Sequence, residues 1–138
     1  METMRTDTKS VTIPASQEAV FAFLADPENL PRWAVGFARA IRRDGETWLV
    51  TTGQGEVPLH YEVDQRRGVI DYHLHPAPGV EAVAYSRLIP NGDGVEYVFT
   101  QFQTPGMPDE VFEGQVRALA EELAILPAIF RARGDCRS

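Results

Sequence analysis

The sequence contains a single cysteine, Cys136, so no disulfide bond can form within the chain. A chain without disulfides is typical of a reducing compartment, and we therefore expect a cytoplasmic protein. The opening segment METMRTDTK is polar and lacks the apolar centre of a signal peptide. No apolar run approaches the ~18 residues that a membrane-spanning helix requires, so we expect no membrane insertion.

Positive charge is scarce: 13 lysines and arginines face 20 acidic residues, which gives a net charge of -7. Such a chain repels nucleic acid phosphates and anionic lipid headgroups, so we expect neither as a partner. The 138 residues are 43% hydrophobic, enough for one domain with a sizeable core. We predict a single domain over residues 1–138, with a polar lead at 1–8 and a tail at 134–138.

The first third of the chain predicts one strand and two short helices. Residues 9–14 alternate as a strand does, and Ser16 can cap a helix that begins directly after them. Asp26 and Pro27 end that helix and begin a second one, because proline at the first helical position loses no hydrogen bond. The second helix contains Trp33 and ends near Gly36.

The remainder predicts a sheet covered by a helix. Residues 37–103 alternate with a period of two and are interrupted by five turn sequences rich in glycine and proline, which indicates six antiparallel strands. Residues 109–133 return to a period of about 3.6. Their apolar stripe consists of Phe112, Val116, Leu119, Leu123, Leu126 and Phe130. Because only this helix is long enough to cover one sheet face, the sequence predicts an α+β fold.

The segment VTIPASQEAVFAFLADPENLPRWAVGF, residues 11–37, resembles the opening of the bacterial polyketide cyclase/dehydrase-like group. That group belongs to the START-like, or SRPBCC, superfamily. The resemblance implies a helix-grip fold, in which a curved antiparallel sheet of about seven strands wraps around a long C-terminal helix and encloses an internal cavity. It also implies that Trp33 lies near the cavity mouth. Since the superfamily holds enzymes, carriers and receptors, the resemblance does not imply one reaction.

The three histidines all fall on two neighbouring predicted strands. A short hairpin loop after Asp64 pairs residues whose numbers add to 133, so His60 faces His73 on a polar, outward face. His75 lies two residues further along the same face. Imidazoles so spaced can hold zinc, but a solvated strand face is the simpler explanation, and metal sites need sheltered supporting partners. We therefore predict no metal site.

The same register, continued through the next two hairpins, places all four tyrosines, Arg87, Glu81 and Gln103 on the inner face. Ile41 and Trp48, paired across the preceding hairpin, are expected to face inward too. We predict a ligand-binding surface formed by Trp33, Trp48, Tyr61, Tyr72, Tyr85, Arg87, Tyr97, Phe99, Gln101, Leu119 and Leu123. Buried phenol groups need hydrogen-bond partners, which favours a cavity with water or an oxygenated ligand. Tyrosine hydroxyls at the cavity rim, and an ordinary salt bridge for Arg87, stay open as alternatives.

Two functions fit this interior. One is binding of a small hydrophobic or aromatic molecule, as in lipid transport; the alternative is an enzyme of the cyclase, aromatase or dehydratase kind. The absence of an inward histidine favours binding, because only Glu81 and Glu122 stay as candidate general bases. No phosphate loop or dinucleotide fingerprint is present, so we predict no cofactor. The outer face of the last two strands, with Ala82, Ala84, Val98 and Phe102, leaves a homodimer as an alternative partner.

Overall fold

The alternating part of the sequence folds into six strands, and the residues before Pro14 add a seventh. The computed structural model describes residues 2–134. The strands are β1 Thr6–Ile13, β2 Ala40–Asp44, β3 Thr47–Thr52, β4 Gly55–Asp64, β5 Val69–Ala77, β6 Val80–Asn91 and β7 Gly94–Phe102. The helices are α1 Gln17–Leu24, a 3-10 helix Pro27–Asn29, α2 Leu30–Trp33 and α3 Asp109–Ala132.

All seven strands form one antiparallel sheet in the order β1-β7-β6-β5-β4-β3-β2. The sheet packs against α3, so the predicted α+β helix-grip architecture is confirmed. β1 begins at Thr6, where it already pairs with Phe102 of β7. The prediction of a polar lead is therefore wrong from Thr6 onward, because those residues complete the sheet edge. Cys136 and residues 135–138 of the predicted tail lie outside the described residues.

The first helices begin and end as their capping residues predict. The Ser16 hydroxyl accepts a hydrogen bond from the amide of Ala19 at 3.2 Å, which satisfies one of the free first-turn donors. The Asp26 carboxylate accepts one from the amide of Glu28 at 3.0 Å. The second predicted helix is divided into the 3-10 turn and α2.

The β4–β5 hairpin has the predicted register. His60 pairs with His73, and Tyr61 pairs with Tyr72. Tyr72 is only 4% exposed on the inner face, whereas His60 is exposed on the outer face. The opposite orientations of phenols and imidazoles on these two strands are therefore confirmed.

The registers of the next two hairpins are each shifted by one residue from the prediction. Tyr72 pairs with Ala84 rather than Val83, because the β5–β6 ladder is irregular between Leu74 and Ala77. In the β6–β7 hairpin, Asn91 pairs with Gly94, so the turn has two residues instead of the five predicted. A shift of one residue moves every side chain of a strand to the other face.

The shift reverses the two faces of β6. Tyr85 and Arg87 point outward, as does Glu81, so their predicted places on the inner face are wrong. Ser86 and Leu88 point inward, each 2% exposed. The predicted dimer patch is corrected for the same reason: its alanines, Ala82 and Ala84, belong to the inner face, whereas its β7 residues remain outside.

The β2–β3 turn is displaced by one residue without changing the faces. Asp44 pairs with Thr47, so the turn consists of Gly45 and Glu46, and the predicted pairing of Ile41 with Trp48 is wrong. Both of these side chains nevertheless pack, partly buried, against the core. Parity explains this outcome, because a shift of two positions in pairing leaves each side chain on its original face.

The core lies between the sheet and the helices. The α3 stripe is confirmed at Phe112, Leu119, Leu123, Leu126 and Phe130, each at most 3% exposed, whereas Val116 is only partly buried. None of the helices within residues 2–134 combines the length and the apolar character that crossing a membrane needs.

Candidate functional site

A chain of buried hydroxyl groups crosses the inner face of the sheet. The Tyr97 hydroxyl donates to the hydroxyl of Ser86 at 2.9 Å, and Ser86 donates in turn to the backbone carbonyl of Ile70. The Tyr72 and Tyr97 oxygens lie 2.8 Å apart. Because the Tyr97 proton is engaged by Ser86, Tyr72 must be the donor of this bond. The oxygen of Tyr72 is thereby left as an acceptor facing the interior.

A fourth hydroxyl group, that of Tyr61, lies beside this chain without joining it. Its oxygen is buried and has no hydrogen-bond partner among the described residues. The Tyr61 ring meets that of Tyr72 edge-on, with centroids 4.9 Å apart. Burial, and the nearby Tyr72 and Asp26, raise the pKa of the Tyr61 phenol well above its usual value. Tyr61 is therefore a neutral donor that points at no protein acceptor.

Aromatic rings from α2 and β7 enclose these hydroxyl groups. Trp33 packs edge-on against Tyr97 and Phe99, at centroid distances of 6.2 and 6.3 Å. Phe99 also contacts the ring of Tyr72 at 5.6 Å. Trp33 is 2% exposed, so it lies inside the core rather than at the mouth position that the resemblance implied. The polar groups thus lie in surroundings of low dielectric constant.

α3 contributes a carboxylate, that of Glu122, which is only 6% exposed. Its Oε2 atom accepts a hydrogen bond from the Gly36 amide at 3.0 Å. Hydrogen bonds from the Gly36 and Phe37 amides to the carboxylate lower its pKa. Burial nevertheless dominates and raises the pKa of Glu122 to about 7. A Cβ on residue 36 would lie 3.0 Å from the Ala118 Cβ, so glycine permits this close approach of loop and helix.

Seven of the predicted site residues come together in this region: Trp33, Tyr61, Tyr72, Tyr97, Phe99, Leu119 and Leu123. Gln101 lies nearer the sheet edge, where its amide donates to Asp7 and to the backbone carbonyl of Gln115. Trp48 packs at the flank of the core with the Arg43 guanidinium over its ring at 5.6 Å.

Two predicted residues lie outside the region altogether. Tyr85 is 48% exposed and packs edge-on against Phe102 on the outer face. The Arg87 guanidinium donates to the backbone carbonyl of Arg67 at 3.3 Å. Because the side chain is exposed, water solvates its charge and Arg87 needs no ligand to balance it.

Sequence reasoning missed Ser86 and gave Glu122 only a secondary role. Ser86 was missed because of the register shift. Glu122 carried a usable signal, since it lies three residues after Leu119 and four before Leu126, on the apolar stripe of α3. A carboxylate at such a position faces the core.

The two clearest depressions among the described residues are both on the outer surface. One lies beside the turn at residues 76–79, and the other is formed by Tyr85, Ile89 and Val98 with their neighbours. Neither depression is lined by Tyr61, Tyr72 or Tyr97, so neither is the predicted internal cavity. The chemistry available among the inner hydroxyl groups is hydrogen bonding to oxygen atoms, together with proton exchange at Glu122.

Comparison with known proteins identifies one family. The family model described as polyketide cyclase/dehydrase and lipid transport matches residues 4–128. No curated protein matches the chain.

Solved structures share the fold at low sequence identity. A START superfamily protein from Mycobacterium smegmatis is 15% identical with a TM-score of 0.67, covering 92% of this chain and 97% of its own. The Aha1 dimer from Colwellia psychrerythraea is 15% identical with a TM-score of 0.69, covering 90% and 94%. The di-domain ARO/CYC BexL from the BE-7585A biosynthetic pathway is 16% identical with a TM-score of 0.70, covering 91% of this chain and 46% of its own. At these identities the likeness shows the fold alone.

Proposed function

Because the chain belongs to the polyketide cyclase/dehydrase and lipid transport family, we propose that it binds a small hydrophobic or aromatic ligand that carries an oxygen atom. The ligand lies between the sheet and α3. Its apolar part contacts Trp33 and Phe99, and its oxygen accepts a hydrogen bond from Tyr61.

The observation that carries this proposal is the unpaired hydroxyl of Tyr61. A buried polar group without a partner destabilises a protein by about 1–3 kcal/mol. A carbonyl or ether oxygen of a ligand removes that penalty, and the ring of the ligand replaces apolar contacts that the free protein makes with itself. The neighbouring Tyr72 oxygen offers an acceptor for a second polar group of the ligand.

A pair of matched probes tests the role of Tyr61. 2-Acetylnaphthalene carries a carbonyl, whereas 2-ethylnaphthalene has nearly the same shape without one. We expect the wild type to bind the acetyl compound more tightly than the ethyl compound. Binding is measured by the quenching of tryptophan fluorescence. Tyr61→Phe should weaken binding of the acetyl compound about five- to tenfold, the value of one hydrogen bond, and leave the ethyl compound unchanged.

Tyr85→Phe is the matched control, because it removes the same hydroxyl group from the outer face. It should alter neither affinity. Equal losses for both probes in Tyr61→Phe would refute the hydrogen bond, and failure of both probes to saturate the wild type would count against internal binding of naphthalene-sized molecules. Native mass spectrometry of freshly purified protein then identifies any ligand that is retained through purification.

A second candidate function, an enzyme of the cyclase, aromatase or dehydratase kind, is favoured by one observation. Glu122 has a pKa of about 7, so it can exchange a proton near neutral pH. With a linear polyketone as substrate, Glu122→Gln should abolish turnover while Glu121→Gln, on the exposed side of α3, retains it. The wild-type rate should show an inflection near pH 7. Turnover that survives in Glu122→Gln would exclude this role.

A further inference from the structure

All three histidines of the chain meet on the outer face of β4 and β5. Together with two carboxylates they form a group that we call the histidine patch: His60, Glu62, His73, His75 and Glu81. The rings of His60 and His73 are stacked with centroids 4.6 Å apart, and His75 follows at 5.6 Å from His60. Glu81 of β6 contacts the patch because its side chain points to the outer face of the sheet.

His73 is the centre of the patch. Its side chain is 14% exposed, and both ring nitrogens are buried without a hydrogen-bond partner among the described residues. A carboxylate nevertheless lies near each nitrogen: Glu62 is 3.2 Å from Nε2, and Glu81 is 3.5 Å from Nδ1. Two carboxylates thus flank one sheltered imidazole whose own hydrogen-bonding groups are unsatisfied.

We propose that the histidine patch binds a divalent transition metal ion through His60, Glu62 and the Nε2 atom of His73. Ligand atoms of these three residues already lie within 4.8 Å of one another. Neighbouring ligands of a tetrahedral zinc ion are about 3.4 Å apart, given metal–ligand bonds near ~2.1 Å. The separation of Glu62 and His73 is close to that value, so mainly His60 has to move.

The movement required of His60 is a rotation of its ring. Two stacked rings cannot direct their in-plane lone pairs at one ion, and the angle between the planes of His60 and His73 is 8°. His60 is exposed and its terminal torsion is soft, whereas the ring of His73 is held by its surroundings. His60 therefore turns toward Glu62 while His73 keeps its orientation.

Glu81 supplies the supporting contact that fixes His73. A metal-binding histidine usually donates its other ring nitrogen to a carboxylate, which sets the tautomer and the ring orientation. The Glu81 carboxylate lies 3.5 Å from Nδ1, so a small movement on metal binding lets it accept this hydrogen bond and leaves Nε2 for the metal. Sequence reasoning missed this contact, because the predicted register of β6 assigned Glu81 to the inner face, whereas the observed register places it outside.

The donor set selects the class of metal. Two imidazoles and one carboxylate suit zinc, copper or nickel, and an exposed position leaves the fourth site to water. Three carboxylates, Glu62, Asp71 and Glu81, surround this face, so a bound cation also relieves their repulsion.

The test is calorimetric titration of ZnCl₂ into protein without an affinity tag, after treatment with a chelator. The wild type should bind one ion per chain. Glu62→Gln and His73→Gln should each weaken binding more than tenfold, and Glu81→Gln about tenfold as a supporting contact. Glu46→Gln, in the β2–β3 turn, is the matched carboxylate control and should bind as the wild type does. His75→Gln removes an imidazole that is not a ligand and should change affinity less than threefold.

A second measurement, made on the wild type alone, compares the NMR chemical shifts of the imidazole nitrogens with and without zinc. Zinc should shift Nε2 of His73, with Nδ1 keeping its proton. Glu62 is exposed, so Glu62→Gln serves as the test even if His73→Gln does not fold. Absence of saturable zinc binding to the wild type would overturn the proposal. Equal losses in His75→Gln and Glu62→Gln would overturn the ligand assignment.

Discussion

The buried carboxylate of Glu122 makes the stability of the protein fall as the pH rises from about 4.5 to about 7. In the folded state its pKa is about 7, against an ordinary value of 4.5. Below pH 4.5 both the folded and the unfolded chain hold the proton. Between the two pKa values the unfolded chain releases it while the folded chain keeps it, so unfolding becomes easier. Above pH 7 the effect is complete.

The size of this effect follows from the pKa difference. Each pKa unit corresponds to 1.36 kcal/mol, so a shift from 4.5 to about 7 amounts to at most about 3.4 kcal/mol. Glu122→Gln removes the titration but retains an oxygen that can accept the Gly36 amide. The variant should therefore gain stability relative to the wild type by about 2–3 kcal/mol as the pH rises through this window.

Urea unfolding at a series of pH values, followed by circular dichroism, measures this difference directly. Other carboxylates contribute equally to both proteins; Glu96, for example, has a pKa lowered by its hydrogen bond from Thr12. Glu110→Gln is the control, because its side chain is exposed in the first turn of α3, far along the helix from Glu122, and its curve should run parallel to that of the wild type. A constant difference between Glu122→Gln and the wild type from pH 4 to pH 8 would refute the burial argument.

Two further substitution pairs test the packing of the inner face and of one turn. Tyr97→Phe removes two buried hydrogen bonds, so it should lower the free energy of unfolding by about 2–4 kcal/mol in urea titrations. Tyr61→Phe should be neutral or stabilising, because the hydroxyl that it removes has no hydrogen-bond partner among the described residues. A loss in Tyr61→Phe as large as that in Tyr97→Phe would contradict this account. Gly68→Ala should lower the melting temperature more than Gly45→Ala: both glycines have positive φ, but only at residue 68 would a Cβ meet the Leu88 carbonyl oxygen. Equal melting temperatures for the two alanine variants would contradict the predicted clash.

The faces of β4 and β5 were predicted correctly because they depend only on whether the number of residues in the connecting loop is even or odd. The four-residue loop between Asp64 and Val69 keeps the same pairing parity as a two-residue loop, so the faces of β4 and β5 could be assigned without knowing the loop length. The long helix and the Ser16 cap have patterns that do not depend on neighbouring strands. The order of elements, and hence the α+β class, followed from these features, whereas the helix-grip arrangement was implied by the resemblance to the family.

The faces of β6 could not be assigned from its own residues. Its inner set, Ala82, Ala84, Ser86 and Leu88, is no more apolar than its outer set, Val83, Tyr85, Arg87 and Ile89. The inner residues near the middle are small because Tyr72, Tyr97 and Phe99 of the adjacent strands occupy the space above them. The small size of the inner β6 residues therefore depends on three strands together. The irregularity before Ala77, which sets the register, cannot be recognised from the residue types in that segment.

Within the sheet, the success of the site prediction followed the register. Tyr97 and Phe99 of β7 were placed correctly because the two one-residue shifts before them cancel. Tyr61 and Tyr72 were assigned correctly through β4 and β5, whereas the errors at Tyr85 and Arg87 came from β6. The unpaired hydroxyl of Tyr61 depends on distances to every neighbouring acceptor, so no sequence pattern could reveal it.

The position of β1 at the edge of the sheet constrains the order of assembly. The partners of β1 are β7, some ninety residues later in the chain, and α3 beyond it, so β1 has nothing to pair with until both have been made. The ribosome must release β7 and α3 before this edge can close, and until then the apolar side of the nascent hairpins is exposed to chaperones.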